Sequence, residues 1–212
     1  MRFADRRQAG EQLGAQLARL DPPDPVVYAL PRGGVPVAFE VSRALECPLD
    51  VLVVRKIGVP FQPELAMGAI GEGEVVIRNE EVIDLAGIDE AGFASVADSE
   101  RRELETRLAS YRSAADPVLA EARTAIVVDD GMATGSTALA AVQVLRQKGA
   151  ASVWLAVPVA PLSSLGELER VADRIVVLSR PHDFGAVGIW YDDFTQTGDD
   201  EVRSLLAESR LA

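Results

Sequence analysis

Two adjacent carboxylates and the loop that follows them are the residues of this sequence best suited to chemistry. Asp129 and Asp130 end an apolar β-branched run, and the small residues at 131–137 open onto a helical pattern. Glycines in such a loop let the backbone approach a ligand closely, and hydroxyl groups at the positive N-terminus of a helix favour an anion. The carboxylates would repel a phosphate but can accept hydrogen bonds from the cis-diol of a ribose. The stretch therefore predicts a ribose 5-phosphate site; an acidic strand end with an ordinary glycine turn is the alternative. Its residues are Asp129, Asp130, Gly131, Met132, Ala133, Thr134, Gly135, Ser136 and Thr137.

Two further charged or glycine-rich stretches end apolar runs elsewhere in the chain. Arg32-Gly33-Gly34 follows the run at 26–30, and Arg55-Lys56 follows the run at 49–54. In open parallel α/β sheets the ligand site lies outside the carboxyl ends of the strands. We therefore expect these stretches and the acidic pair to converge on one ligand.

The elements that would position these residues alternate regularly. Short apolar runs bounded by loops predict strands, and amphipathic segments between them predict helices. The predicted strands are 26–30, 49–54, 126–128, 153–157 and 175–178, and the helical patterns lie at 5–20, 35–45, 138–145 and 162–171. This alternation predicts a Rossmann-like parallel sheet of five strands flanked by helices.

The middle and the end of the chain depart from that alternation. Residues 57–73 are rich in Gly and Pro and predict a mobile loop, although 67–70 could pair with 75–78 as an appended hairpin. Residues 79–116 read as a charged helical insertion without chemistry of its own. We expect a core over residues 1–180, followed by a small C-terminal hood with a closing helix at 181–212.

Composition limits the classes of function. The 212 residues, 48% of them hydrophobic, suit one α/β domain, and a net charge of −12 disfavours nucleic acid and anionic membranes as partners. Cys47 is the single cysteine, interpreted as a small core residue on a helix, so a disulfide framework is excluded and a reducing cytoplasm is expected. The N-terminal residues lack the apolar region of a secretory signal, and the longest uncharged run is broken by prolines.

Other phosphate and catalytic motifs fit poorly. The sequence has no Gly-x-x-x-x-Gly-Lys-Ser/Thr, and the glycines at 68, 71 and 73 do not form Gly-x-Gly-x-x-Gly. His182 is the only histidine, so a Ser/His/Asp triad or a multi-histidine metal site is unlikely, and a loop position is expected for it.

The stretch from Asp129 to Thr137 resembles the phosphoribosyl-pyrophosphate (PRPP) motif of the type I phosphoribosyltransferases, in which two acidic residues precede three variable positions and Thr-Gly-x-Ser/Thr. The resemblance implies a cytoplasmic pentosyltransferase that uses PRPP and Mg²⁺. It also implies that Arg32-Gly33-Gly34 holds the pyrophosphate after a cis Pro31-Arg32 peptide. The loop at 57–73 would close over PRPP. The residues expected to act in catalysis are Arg32, Arg55, Lys56, Asp129 and Asp130.

The acceptor base is less well defined by the resemblance. In this family a hood grips the base, which implies roles for Phe184, Val187, Trp190 and Tyr191, with backbone groups at 157–160 nearby. Hypoxanthine and guanine enzymes carry an Asp just before the Thr-Gly, where this chain has Ala133. Adenine-like or pyrimidine-like acceptors are therefore favoured, and the base stays undetermined.

The resemblance extends over nearly the whole chain, to stand-alone bacterial proteins identified as phosphoribosyltransferases, and it implies a homodimer. A regulator that keeps the fold and binds PRPP or a nucleotide without turnover is the first alternative. A hydrolase or phosphotransfer enzyme that uses the acidic pair for metal is the second, although no positioned general base or nucleotide loop supports it.

Overall fold

A five-stranded parallel sheet forms the centre of the molecule, as the sequence predicts. The computed structural model describes residues 2–111 and 117–211. The strands run in the order β2-β1-β6-β7-β8. They are β1 (Pro25–Ala29), β2 (Leu49–Val51), β6 (Thr124–Val128), β7 (Ser152–Val159) and β8 (Arg174–Ser179).

Helices cover both faces of this sheet, so nearly every residue of β1, β2, β6 and β7 is buried, whereas the edge strand β8 is mostly half-buried. Alternate residues point to opposite faces: Val27 and Ala29 pack into one core cluster, and Val26 and Tyr28 into the other. The first cluster includes side chains of α1 (Arg6–Ala18), α2 (Gly34–Leu45) and α7 (Asp199–Ser209), and the second includes those of α5 (Ser136–Gln147) and α6 (Leu165–Leu168). The uniform apolar character of the predicted strands follows from this double burial.

The order of the strands places a switch point between β1 and β6. From β1 the chain passes through α2 to β2 on one side, whereas from β6 it passes through α5 to β7 on the other. Open α/β sheets bind ligands in the crevice at such a reversal. Residues 31–34 and 129–137 follow the two strands at this crevice, so the sheet brings together stretches about 100 positions apart.

A second, antiparallel sheet replaces two features predicted from sequence. The predicted strand at 49–54 ends at Val51, and β3 (Val54–Val59), β4 (Gln62–Gly71) and β5 (Val76–Arg78) form a separate three-stranded sheet. The expected pairing of 67–70 with 75–78 is confirmed, with Ala69 opposite Ile77. The expected irregular loop at 57–73 is instead mostly strand, with a tight turn at Pro60 and Phe61. The prolines and glycines of this stretch suggested a loop, but they lie at the turn and at register shifts between β3 and β4.

The helical insertion supports this second sheet. It consists of α3 (Glu80–Ala86) and α4 (Glu90–Tyr111), and the part of the prediction at 112–116 lies outside the described residues. Phe93 and Leu104 of α4 are buried in the core cluster that also contains Ile57 and Met67. The insertion therefore fixes the position of the antiparallel sheet.

Smaller differences concern element ends. The predicted helix at 162–171 is a 3-10 turn (Leu162–Ser164) followed by the short α6. Cys47 lies just beyond α2, because that helix ends at Glu46 in a left-handed conformation with φ of 49°. Burial raises the pKa of the Cys47 thiol to about 11. Across the described ranges, no helix has the length and apolar character needed to cross a membrane.

Candidate active site at the switch point of the sheet

The two carboxylates lie side by side at the end of β6, and each has one oxygen already engaged. Asp129 Oδ1 accepts a hydrogen bond of 2.8 Å from the backbone N–H of Asp130. Asp130 Oδ2 accepts one of 2.8 Å from Nε of Arg6. The two carboxyl groups also interact with each other through a side-chain hydrogen bond. Adjacent carboxylate oxygens of this kind can accept hydrogen bonds from a pair of ligand hydroxyls.

Burial shifts the protonation of this pair. Burial raises the pKa of Asp129 well above its ordinary value, and the neighbouring Asp130 charge raises it further. Burial also raises the pKa of Asp130, but the charge of Arg6 partly opposes that rise. Two carboxylates in such proximity are therefore balanced by one guanidinium.

The glycines after β1 are needed because they lie against the acidic pair. A Cβ at Gly33 would come within 2.1 Å of Asp130 Oδ2, and a Cβ at Gly34 within 2.7 Å of the Val128 carbonyl oxygen. No other residue fits at these positions without displacing its neighbour. The preceding Pro31-Arg32 peptide is cis, as the sequence analysis expected.

The loop from 131 to 137 presents an open helix start. Gly135 has φ of +81° and precedes Ser136, the first residue of α5, and no side chain caps this helix. The hydroxyl groups of Thr134 and Ser136 lie 3.1 Å apart. Thr134 and Thr137 are exposed. Uncapped amides, hydroxyls and a positive helix end together suit a phosphate group.

Lys56 and Arg55, expected together at the site, diverge in the structure. They do not follow a strand of the central sheet but lie within β3, where neighbouring side chains alternate between faces. Lys56 lines a cavity of about 490 Å³ shared with Thr134 and Ser136. Arg55 pairs with Glu100 of α4, with Nε and Nη2 each 2.7 Å from Oε2.

Arg32 is also held by a carboxylate. Its Nη1 lies 3.6 Å from Oδ1 of Asp199, at the start of α7, and both side chains are about half-exposed. Such a long, solvated ion pair is weak. Arg32 can therefore turn toward an anionic ligand at little cost.

The hood is clasped to the N-terminal segment. The backbone N–H of Phe3 donates to the Trp190 carbonyl at 2.8 Å, and the N–H of Asp192 donates to the Phe3 carbonyl at 2.9 Å. Phe3 and Tyr191 stack with centroids 5.5 Å apart in a small core cluster. The first residues of the chain thus lie beside the acidic pair, which is 124 positions away at Asp130.

The four hood residues expected at the base are placed differently from one another. Val187 abuts the phosphate loop, since a Cβ at Gly131 would lie 2.5 Å from its Cγ1. Tyr191 is only 2% exposed, and its hydroxyl donates to the Asp130 carbonyl, so its ring is not open to a base. Phe184 is 9% exposed, and Trp190 is half-buried with Nε1 donating to the Phe184 carbonyl at 3.0 Å. Tyr191 instead connects the hood to the loop after β6, because its hydroxyl group donates to the Asp130 carbonyl. The backbone stretch at 157–160 is buried, and His182 is exposed in a loop, as expected.

Comparison with known proteins agrees with this geometry. The sequence profile of the phosphoribosyl transferase domain matches residues 8–193, which is most of the chain. The chain belongs to the phosphoribosyl transferase family.

Relatives in this family differ in length. Two Mycobacterium tuberculosis sequences provisionally named phosphoribosyl transferases are 50% identical over 204 residues, covering 96% of this chain but 46% of each relative. The chain thus spans about half the length of these curated relatives.

Solved structures extend the comparison. The protein TT1426 of Thermus thermophilus superposes with a TM-score of 0.92 at 42% identity, covering 98% of this chain and 99% of that one. A hypoxanthine-guanine phosphoribosyltransferase of Bacillus anthracis gives a TM-score of 0.50 at 11% identity, covering 86% and 85%, and so shares the fold.

Sequence reasoning missed two neighbours of this phosphoribosyl transferase motif. Arg6 binds Asp130, and Phe194 lies under the Arg6 guanidinium with its ring centroid 3.9 Å from Cζ. Arg6 appears in sequence as one of several charged residues on an amphipathic helix. Only its position one residue after the N-cap Asp5 sets it apart, and that gives no hint of a partner at 130.

Proposed function

We propose that the protein transfers the 5-phosphoribosyl group of PRPP to a nitrogen base and releases pyrophosphate. The observation that carries this proposal is the meeting of loops 31–34 and 129–137 at the switch point, where the carboxylates of Asp129 and Asp130 lie side by side. Family membership supports the same reaction class. The acidic pair would hold the ribose diol, and the loop before α5 would hold the 5-phosphate.

The leaving pyrophosphate would be held by the backbone at Gly33 and Gly34 and by two cations. Lys56 already borders the cavity beside the phosphate loop. Arg32 would reach the diphosphate after leaving Asp199. Among the three cations expected to act in catalysis, Arg55 is the least suitable, because Glu100 engages its guanidinium group.

Magnesium fits this site as an ion carried by the substrate. Mg²⁺ prefers hard oxygen ligands and binds through substrate phosphates together with few protein groups. The described residues contain no group of three or more His, Cys, Asp or Glu able to hold a metal ion. The ion would neutralise charge on the diphosphate.

The chemical step needs no protein nucleophile. The lone pair of the base nitrogen forms a bond to ribose C1 while the C1–O bond to pyrophosphate breaks and its electron pair leaves with that group. The ring N–H proton of the base passes to the departing pyrophosphate or to water. Positive charge develops on the sugar ring and negative charge on the leaving group, so the cations act by electrostatic stabilisation and the diol contacts act by positioning. Closure of the β3–β4 hairpin, whose turn exposes 72% of Phe61, would exclude water from C1.

The acceptor would lie between the loop and the hood. Val187 contacts the loop at Gly131, and Ala133 leaves the position before Thr134 without an acid. A pyrimidine-like base, which has no N7, or an adenine-like base fits a lining without an acid at this position better than a 6-oxopurine.

A regulator that binds PRPP or a nucleotide without turnover is the second candidate. Tyr191 and Phe184 are buried, so two of the four residues expected to contact a base are not accessible to a base. This burial favours the regulator. Both functions share the PRPP site.

The test incubates the protein with PRPP and Mg²⁺, supplies free bases singly, and follows pyrophosphate and the nucleotide product by mass. We expect release with one adenine-like or pyrimidine-like base. Tight PRPP binding by calorimetry with no turnover for any base would favour the regulator. Absence of saturable PRPP binding would reject the transferase and a regulator that binds PRPP, and would leave only a regulator that binds a nucleotide.

A further inference from the structure

Arg6 makes three contacts, one with the acidic pair and two with the hood. Its Nε donates to Asp130 Oδ2 at 2.8 Å, and its Nη1 donates to the Thr195 carbonyl at 2.7 Å. The Phe194 ring covers the guanidinium at 3.9 Å from Cζ. The Arg6 side chain is 11% exposed and that of Asp130 is 14% exposed. Three partners and this burial fix the guanidinium plane, which a single surface ion pair would not do.

Arg6 is the cation that partly neutralises the charge of the acidic pair. The titratable groups facing Asp130 are Asp129 from the same loop, Arg6 from α1 and Tyr191 from the hood. Arg32, on the neighbouring loop, is paired with Asp199 instead. Without Arg6, two adjacent carboxylates would lie together with no described cation in contact, and one of them would take up a proton.

Family membership does not assign this residue. The profile match begins at residue 8 and ends at residue 193, so Arg6, Phe194 and Thr195 all lie outside it. The contacts join the start of α1 to the hood segment before α7, next to Asp130.

We propose that Arg6 is a positioning residue of the ribose site, which holds the Asp130 carboxylate in its acceptor orientation and ties the hood to it. The inference rests on the proposed function for the identity of the ligand. The N-terminal segment would then belong to the binding site because it orients Asp130, and not through direct contact with the ligand. Lys at this position would restore the charge, whereas it would not reproduce the fork that also reaches Thr195.

The experiment measures PRPP affinity with Mg²⁺ by calorimetry across pH for the full chain and for Arg6→Gln, Arg6→Lys and Arg7→Gln. Arg7 is the matched control because it lies on the same turn of α1, with 58% of its side chain exposed and Nη1 3.9 Å from Glu40. Thermal unfolding of each variant verifies folding. We expect Arg6→Gln to weaken binding by about 10-fold or more near neutral pH, as for removal of one member of a buried charge pair.

The pH profile separates positioning from a merely structural role. For Arg6→Gln the pH below which PRPP affinity falls should move upward, because Asp130 loses its neighbouring cation. Arg6→Lys should return that midpoint toward the original value, and Arg7→Gln should leave both affinity and midpoint unchanged. Equal weakening at every pH, with no rescue by Lys, would overturn the inference.

A ligand-free measurement keeps this inference separate from the proposed function. Carboxyl carbon NMR titration of Asp130, with hydrogen exchange of the hood amides at 191–197, is made on the same variants. Arg6→Gln should raise the Asp130 titration midpoint and speed hood exchange. If the unaltered protein fails to bind PRPP, the proposed function is wrong, and these two readouts still decide whether Arg6 positions Asp130. No change in either readout would overturn the role of Arg6 even if PRPP binds.

Discussion

At the residue scale, the acidic pair combines binding capacity with a cost to stability. Burial and mutual repulsion raise the pKa of Asp129, and one guanidinium balances two carboxylates. Groups arranged for ligand contact commonly lower stability in this way, because they are held ready for a partner that the free protein lacks. The effect is measurable through pH and through substitution.

We expect Asp129 to contribute a fall in stability as pH rises through the acidic range, and Asp129→Asn to remove that contribution. An Asp ionises near pH 3.9 in an unfolded chain, and the pKa of Asp129 is raised in the folded protein. Between these two values the native state binds more protons than the unfolded state, so the free energy of unfolding decreases with pH and is lowest above the raised pKa. The variant should therefore be more stable near neutral pH by about 1 kcal/mol.

Urea unfolding at a series of pH values provides the measurement, and Asp173→Asn, at a carboxylate remote from the site, is the comparison. The Asp129→Asn protein should also lose PRPP affinity. A variant less stable than the original at neutral pH would show that the pair is not under electrostatic strain.

Gly33→Ala should disturb the pair through packing alone. The added methyl would lie 2.1 Å from Asp130 Oδ2, which Arg6 holds in place, so Asp130 must shift. We expect a loss of about 1–3 kcal/mol in stability, as for overpacking, together with weaker PRPP binding. Gly166→Ala is the matched control, since a Cβ there meets nothing within 4 Å. Unfolding and calorimetry on both variants test this, and equal behaviour of the two would contradict the packing explanation.

At the element scale, the antiparallel sheet divides two neighbouring cations between different tasks. β3 leaves the central sheet, so Arg55 faces α4 while Lys56 borders the cavity next to the phosphate loop. The insertion α3–α4 covers the face of the antiparallel sheet on which Arg55 lies. Its sequence alone did not reveal this structural role.

Lys56→Gln should mainly lower ligand affinity, whereas Arg55→Gln should mainly lower stability. The first removes a cation at the cavity and should weaken binding of PRPP and of pyrophosphate, with little change in stability. The second breaks a partly buried pair with Glu100 and should lower stability by about 1 kcal/mol while PRPP affinity is kept. Calorimetry and thermal unfolding of the two variants give the comparison. Loss of affinity in Arg55→Gln at unchanged stability would return Arg55 to the binding set.

At the scale of the whole molecule, the site joins every layer of the fold. The loops after β1 and β6 meet at the switch point, Arg6 of α1 contacts Asp130, and the start of α5 and the antiparallel sheet line the adjoining cavity. A ligand bound at the proposed site would contact several of these elements, so its binding energy should be transmitted to global stability.

PRPP with Mg²⁺ should therefore raise the unfolding temperature of the entire chain in one transition. A ligand at 100 times its dissociation constant stabilises the bound state by about 2.7 kcal/mol, which corresponds to about 5–10 °C for a chain of this size. Scanning calorimetry with and without Mg²⁺ is the measurement, and Asp129→Asn with Asp130→Asn is the control. A shift of equal size in that double variant would place the ligand elsewhere.

We also expect a homodimer in solution. Family resemblance motivates this expectation, and exposed apolar side chains such as Leu162 and Ile189, with 52% and 54% exposure, are available for an interface. Sedimentation velocity at micromolar concentration should give twice the chain mass of 22.6 kDa. A monomer over the whole concentration range would contradict it.

The sequence by itself determined the central sheet and the two loops at its switch point. Strand, glycine loop and helix start are local patterns, set by β-branched runs, by glycines and by helix periodicity, and the order of these units dictates a parallel sheet. For the same reason the pairing at 67–78 was predicted correctly. The cis Pro31-Arg32 peptide was expected from the family resemblance and is present in the structure.

Only the tertiary structure decided which side chains meet across long stretches of chain. Arg6 and Asp130 are 124 positions apart, and no local periodicity links them. Lys56 and Arg55 are neighbours in sequence, yet they separate because a strand directs successive side chains to opposite faces and because β3 belongs to the second sheet. Tyr191 looked like an open aromatic but is buried, since the N-terminal segment folds over it. Backbone patterns are local, whereas burial and charge pairing depend on contacts that exist only after the chain has folded.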